Sequence, residues 1–335
     1  MAVQITIIGL GQIGGSIGLA LAAHKDKIKR VGHDRDPEAA RAAQKAGAVD
    51  RIEYNLPASV EGSDVVVLAL PLNEVRATLE FIRADLKEEA VVLDASPAKR
   101  QGEAWARELV PAGRSYLGLF PAINPAHLLE TGGGLDGAHA ELFEGATCLV
   151  CPSAGLSEKA VRVATDFVLL LGANPVLSDA IEADGLLSSM LTLPKLLAVS
   201  LVDLTMDKPG WKDAINLAGR SYAMPVAATF DRNQADGLSA SVLANRDNLV
   251  RMLDAYIASL RGLREDIQNE QGAELEKKIR AAQEKALDWL IERNLEAYRP
   301  ADRPNRRKEA SNSSSFGARL KQSFLGSLGS PKRDE

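Results

Sequence analysis

Three glycines and one aspartate carry the most legible chemistry in this chain. Gly9, Gly11 and Gly14 stand in Gly9-Leu10-Gly11-Gln12-Ile13-Gly14, between an apolar run (Val3, Ile5, Ile7, Ile8) and an alanine/leucine stretch ending at Leu21. In that order of strand, turn and helix, Gly9 makes the tight turn, Gly11 lets the backbone approach a diphosphate, and Gly14 lets helix and strand pack closely. The helix N-terminus, opened by Gln12 and Ile13, presents free N–H groups and a partial positive charge to the phosphates. Asp34 closes Lys29-Arg30-Val31-Gly32-His33-Asp34, a short predicted strand, twenty residues after Gly14. A carboxylate there accepts hydrogen bonds from the adenosine ribose hydroxyls and repels a 2′-phosphate, which favours NAD. Arg35, beside it, is able to clamp a 2′-phosphate and leaves NADP open.

The elements that must hold these residues follow from hydrophobic patterning. Asp36-Pro37-Glu38 starts a helix, with Asp36 as cap, Pro37 at the first helical position and Glu38 at the positive end of the dipole; Gly47 ends it. Asp64 to Leu70 (DVVVLAL) is a continuous apolar strand stopped by Pro71, as expected for a parallel sheet buried on both faces. Leu70 and Pro71 are therefore expected on the cofactor crevice. Ala90 to Leu93 and Tyr116 to Phe120 are further strands, Leu142 to Cys151 is a last main strand, and Pro175-Val176-Leu177 is one more short one. Ser157 caps a helix that runs to about Leu171. Strands alternating with helices predict an α/β Rossmann-type, doubly wound sheet over residues 1–178.

From Asp179 to Met206 the chain reads as one strongly apolar helix, kinked at Pro194 and too interrupted for a membrane span. Such a helix in a soluble protein must be covered on most sides. Ala240 to Arg264 and Glu274 to Tyr298 carry apolar stripes at helical spacing, the second at Leu275, Ile279, Ala282, Ala286, Trp289 and Leu290. These predict an all-α substrate and dimerisation domain over 179–298, and its apolar surface suggests a homodimer. Residues 299–335 are rich in proline, arginine and serine and are expected to be a disordered basic tail. Within the tail Phe316, Leu320, Phe324 and Leu328 recur every four residues beside Arg319 and Lys321; that spacing suits a short helix on a partner or membrane surface, against the plainer reading of a solvated tail.

The composition sets bounds. The chain has 335 residues, 46% hydrophobic and 25% charged, with net charge −5, which speaks against bulk nucleic-acid binding. Met1-Ala2 leads straight into the first strand, and there are only two cysteines, so the cytoplasm is the expected compartment. Cys148 and Cys151, three apart on a strand, point to opposite faces and lack a second ligand pair, so neither a disulfide nor a metal site is expected. The loop Pro121 to Glu141 holds two prolines, Gly132 to Gly134 and two histidines, and long loops of this kind are usually functional. His127 in it is a candidate base, weighed against an ordinary surface histidine. Lys195 could polarise a carbonyl or donate a proton, weighed against a lysine snorkelling from a packed helix.

On GLGQIGGS, VGHD, DVVVLALP, Asp94 with Lys99, YLGLFP, LFEGATCLVCP and Asn245, the sequence resembles the prephenate/arogenate dehydrogenase family, over most of residues 3 to 264. The resemblance implies a Rossmann-type domain joined to a helical dimerisation domain, and NAD(P)-dependent oxidative decarboxylation of prephenate or arogenate in tyrosine biosynthesis. Hydride leaves the ring carbon bearing the hydroxyl, a base takes the hydroxyl proton, and the ring carboxylate departs as carbon dioxide. The family's base is a histidine in Gly-x-His-Pro, which here reads Gly118-Leu119-Phe120-Pro121. Its Gly-Ser-x-Lys turn keeps Lys99, a substrate-side candidate, but has Pro97 at the serine position with Ser96 one residue early. A His-Asp pair becomes Ala183-Asp184, and Leu-Pro-His becomes Leu193-Pro194-Lys195. The Thr-Arg substrate motif expected before Asn245 is not recognisable, with Arg220 and Arg232 as nearby arginines.

The candidate sets are thus His127, Lys195 and Ser96 for catalysis and Lys99, Asp184 and Arg220 for a small-molecule substrate. Three functions compete. One is the family reaction with rewritten substrate contacts. Another is a dehydrogenase for a different hydroxy acid or an imine, with Lys195 as its catalytic group. The third is a non-catalytic cofactor-binding sensor or scaffold.

Overall fold

The structure is a computed structural model and describes residues 2–128, 130, 132–230 and 235–297. The tail residues Phe316, Leu320, Phe324 and Leu328, and Arg232, lie outside the described residues. The chain divides into two compact units, meeting in sequence at Ala183 and Asp184.

The first unit is built on eight strands: β1 Val3–Ile8, β2 Ile28–His33, β3 Arg51–Ile52, β4 Val65–Leu68, β5 Val91–Asp94, β6 Ser115–Pro121, β7 Thr147–Pro152 and β8 Asn174–Leu177. They form one sheet in the order β3-β2-β1-β4-β5-β6-β7-β8. The first six are parallel; β7 runs antiparallel to β6, and β8 is parallel to β7. The order reverses between β1 and β4, which is the switch point where doubly wound sheets bind ligands.

Helices α1 Gln12–Leu21, α2 Pro37–Lys45, α3 Leu56–Val60, α4 Leu72–Ile82 and α5 Lys99–Leu109 follow β1 to β5 in turn, and α6 Glu158–Leu170 follows β7. Alternation along β1 divides the core: Ile5 and Ile7 pack with Ile17 of α1 and Phe167 of α6, while Ile8 packs with Val75 and Leu79 of α4. Both faces are covered, so the strands read as apolar runs in the sequence. The expected caps are in place: Asp36 accepts from Glu38 N–H, Ser157 from Ala160 N–H, and Gly47 takes a left-handed φ of 80°. Cys148 and Cys151 are both buried thiols outside any disulfide, and burial pushes the Cys148 thiol up to about 12.

The second unit is helical. Its elements are α7 Ala180–Leu187 (which begins just before the boundary), α8 Leu193–Met206, α9 Trp211–Ala214, α10 Arg220–Val226, α11 Ala235–Ala244, α12 Arg246–Gln268 and α13 Gly272–Ala297. Four sequence expectations change here. The run from Ala180 to Met206 is continuous, and a π-turn at Ser188–Thr192 takes the place of a simple proline kink. Pro194 has no N–H to return to the fourth carbonyl before it, and widening the preceding turn relieves that clash. By length and hydropathy alone this helix of 27 residues is able to cross a bilayer, so its interruptions do not exclude a span. Nor is it covered: 22% of its most apolar stretch is buried within the chain. Finally, the single helix expected over Ala240 to Arg264 is two, broken at Asn245, whose backbone leaves the helical region at φ −111° and ψ 26°.

Candidate functional site

The site of the first unit is assembled at the carboxyl ends of β1, β2 and β4. Gly9 adopts φ 90°, its N–H donates to the His33 carbonyl (2.9 Å), and a Cβ on it would lie 2.4 Å from the Ala69 carbonyl oxygen. A Cβ on Gly14 would lie 1.8 Å from the Gly9 carbonyl oxygen. Both glycines are therefore compulsory for the backbone alone. Gly11 differs: a Cβ there meets nothing within 4 Å. It opens onto free space at the start of α1, which has no side-chain cap and no acid in its first turn. That is the cradle a diphosphate fits, with helix N–H groups as donors.

Asp34 ties this turn to the second strand. Its Oδ2 accepts from Leu10 N–H (2.7 Å) and its Oδ1 from Asp36 N–H (2.9 Å). Each carboxylate oxygen keeps a further lone pair, which is what a ribose diol requires. The Arg35 guanidinium lies 2.5 Å from the Glu74 carboxylate in the first turn of α4. Leu70 reaches within 3.0 Å of the Gly9 Cβ direction, so the end of β4 adjoins the glycine turn as expected. Gln12 is turned elsewhere: its amide donates to the Gly137 carbonyl (3.0 Å).

A second polar group lies inside, between β5 and β6. Asp94 is fully buried and accepts from Tyr116 O–H (2.5 Å), Ser96 O–H (2.8 Å) and Ser96 N–H (2.8 Å). Burial, and then the adjoining Asp94 charge, raise the Tyr116 phenol well above its ordinary value. The Lys99 ammonium is 1% exposed and donates to the carbonyls of Asp94, Ser96 and Leu119. Ser96 and Lys99 therefore bind the loop after β5 to the end of β6, and neither lies at the surface of its unit. Phe120 is the penultimate residue of β6 and half-buried.

The loop after β6 folds back on α1. His139 N–H donates to the Ser16 hydroxyl (3.0 Å). His127 and His139 stack with ring centroids 4.4 Å apart, and Glu130 bridges them, at 2.8 Å to His127 Nδ1 and 2.8 Å to His139 Nε2. The hydrogen bond from His127, more than any other influence, holds the Glu130 carboxyl below its usual range. The three offer ligand atoms within 4.8 Å of one another, although no metal was expected. Imidazole lone pairs lie in the ring plane, and two planes only 18° apart do not converge on one ion, so the group as folded is a carboxylate clasp.

In the helical unit Asp184 is buried, Lys195 half-buried and Arg220 exposed at the start of α10. Asp184 and Lys195 stand on either side of the π-turn. Sequence reading missed Glu74, Tyr116, Glu130 and His139. Each works through a partner distant in sequence or a loop contact, which leaves no local signal.

A reversing parallel sheet, a compulsory glycine turn and an acid on the second strand define a dinucleotide-binding domain of the Rossmann type. Residues 17–177 match the prephenate dehydrogenase nucleotide-binding domain. The chain is 24% identical over 293 residues to the prephenate dehydrogenase of Bacillus subtilis, covering 84% of this chain and 74% of that one. It is 24% identical over 290 residues to the cyclohexadienyl dehydrogenase of Zymomonas mobilis, covering 85% and 95%. Among solved structures, the Aquifex aeolicus prephenate dehydrogenase in complex with hydroxyphenyl propionate and NAD+ is similar with a TM-score of 0.73, at 21% identity over 86% of this chain and 98% of that chain. Over most of its length the chain is thus similar to prephenate and cyclohexadienyl dehydrogenases, and its residues 17–177 carry their type of nucleotide-binding domain.

Proposed function

We propose that the protein is a cytoplasmic NAD(P)-dependent dehydrogenase that oxidises prephenate, arogenate or a closely similar cyclohexadienyl acid. The observation that carries the reading is the glycine turn itself, open at Gly11 and bound through Leu10 to the Asp34 carboxylate. Gly9, Gly11 and Gly14 with the α1 N-terminus would hold the diphosphate and Asp34 the ribose. NAD(P), when bound, supplies the hydride acceptor at its nicotinamide. The protein's own residues must then orient the substrate and take the hydroxyl proton. His127 suits the second of these roles, because its Nδ1 is bonded to Glu130, which sets the tautomer and leaves Nε2 as the acceptor. Lys195, Asp184 and Arg220 remain substrate or catalytic candidates on the helical unit, and a homodimer through its exposed helical stripes belongs to the same reading.

A second reading, a cofactor-binding sensor without catalysis, is favoured by one observation: Phe120 holds the place where the resemblance puts a histidine, and Ser96 and Lys99 are turned inward. The purified protein is incubated with NAD or NADP and prephenate or arogenate while the absorbance of reduced nicotinamide is followed. Turnover of either substrate, reduced at least about 100-fold in His127→Ala, supports the first reading. Dinucleotide binding without turnover of any substrate supports the second.

A further inference from the structure

We propose that Glu74 sets this protein's preference between NAD and NADP by holding Arg35 away from the place of a 2′-phosphate. The inference rests on the NAD(P) reading above and deepens it.

Arg35 is the cation that follows Asp34, and its side chain is 73% exposed, as a phosphate ligand would be. It is not idle. Its guanidinium is engaged 2.5 Å from Glu74 Oε1, thirty-nine residues on in the chain. Glu74 belongs to the first turn of α4, which follows β4, whereas Arg35 follows β2. Both strands flank β1, so the pair joins the two loops on either side of the glycine turn. The adenosine end of a dinucleotide lying at this switch point passes between those loops.

The charges then discriminate. Asp34 and Glu74 against Arg35 leave the rim one negative charge in excess, with Asp36 close by as the cap of α2 and Glu38 paired with Arg41. An adenosine with free ribose hydroxyls donates to Asp34 and leaves the Arg35–Glu74 pair intact. A 2′-phosphate has to draw Arg35 off Glu74 and then sit beside two carboxylates. An exposed ion pair is weak, worth less than about fivefold in an equilibrium constant. The cost of parting that pair is the discrimination, so the preference is soft and adjustable.

NADH and NADPH are titrated separately into the full chain, reading nicotinamide fluorescence, for the wild type, Glu74→Gln, Arg35→Gln and the double variant, with thermal melting as the folding control. The wild type is expected to bind NADH more tightly. Glu74→Gln should tighten NADPH by about 2–5-fold and shift NADH by less than about 1.5-fold, with the NADPH gain shrinking as salt is raised. Arg35→Gln should weaken NADPH alone, and the double variant should lose the gain of Glu74→Gln. Equal shifts for both dinucleotides, or no shift in either while both bind, overturn the assignment to Glu74. Binding of neither dinucleotide by the folded wild type overturns the cofactor reading itself, and this inference with it.

Discussion

The two units differ most in what they do with apolar side chains. In the sheet unit both faces of the strands are covered, and the buried polar groups Asp94, Tyr116, Ser96 and Lys99 satisfy one another. In the helical unit, among the described residues, Leu187, Ala198, Val226 and Leu249 are the large or small apolar side chains that become fully buried. Met190, Leu243, Leu260, Ile279 and Trp289 stay between 47% and 76% exposed. A sheet that completes its own core fixes a cofactor site with nothing from outside. Helices that leave their stripes open depend on what covers them. Hence the cofactor half is legible from one chain and the substrate half is not.

The largest expected effect is on assembly. A homodimer closed over the helical stripes should lose at least about a thousandfold in association when Leu260 and Trp289 are both replaced by Asp, since each large apolar side chain is worth roughly 1.5–3 kcal/mol. Sedimentation velocity should then show monomers, with dinucleotide binding kept by the sheet unit; a monomeric wild type withdraws the dimer. The next test breaks the sheet unit at two positions that look alike in the sequence. Gly14→Ala must displace the Gly9 carbonyl and should abolish both dinucleotide binding and the cooperative melt. Gly11→Ala has room, so it should fold normally and lose about tenfold or more in affinity, its methyl crowding the incoming diphosphate.

Smaller effects test the interior. Tyr116→Phe removes the hydroxyl donor to a buried carboxylate and should cost about 1.5–3 kcal/mol in denaturant unfolding. The same substitution at Tyr222, which shares a 2.5 Å hydrogen bond with Thr205 in the helical unit, should cost less, because that pair is only partly buried. The smallest effect is the pH dependence of the histidine clasp. Glu130 has a folded value below its unfolded one, so its bonds to His127 and His139 add stability above the ordinary carboxylate range. That contribution is lost as pH falls through the folded value. The melting difference between the wild type and Glu130→Gln should be present at neutral pH and vanish in acid; a difference that grows in acid would contradict the clasp.

How much of this could be read beforehand follows the same division. Parallel strands buried on both faces announce themselves as apolar runs, and glycine, proline and aspartate mark turns and caps because backbone geometry demands them. The antiparallel direction of β7 was not legible, since Leu142 to Cys151 is equally apolar either way round. The Arg35–Glu74 pair, the Tyr116 hydroxyl on Asp94 and the clasp on Glu130 depend on contacts that no local pattern encodes. The break at Asn245 and the π-turn before Pro194 were hidden for another reason: an apolar stripe continues through both, while the regular α-helical turn does not.

The central position of β1 also has a bearing on how the protein is made. β1 leaves the ribosome before β2 and β4, so the neighbours that close its turn, His33 and Ala69, arrive one after the other. At about 5–20 residues per second, Ala69 follows Ile8 by roughly 3–12 seconds. Through that interval the edge of β1 that takes β4 stays unpaired and open to pairing with other strands.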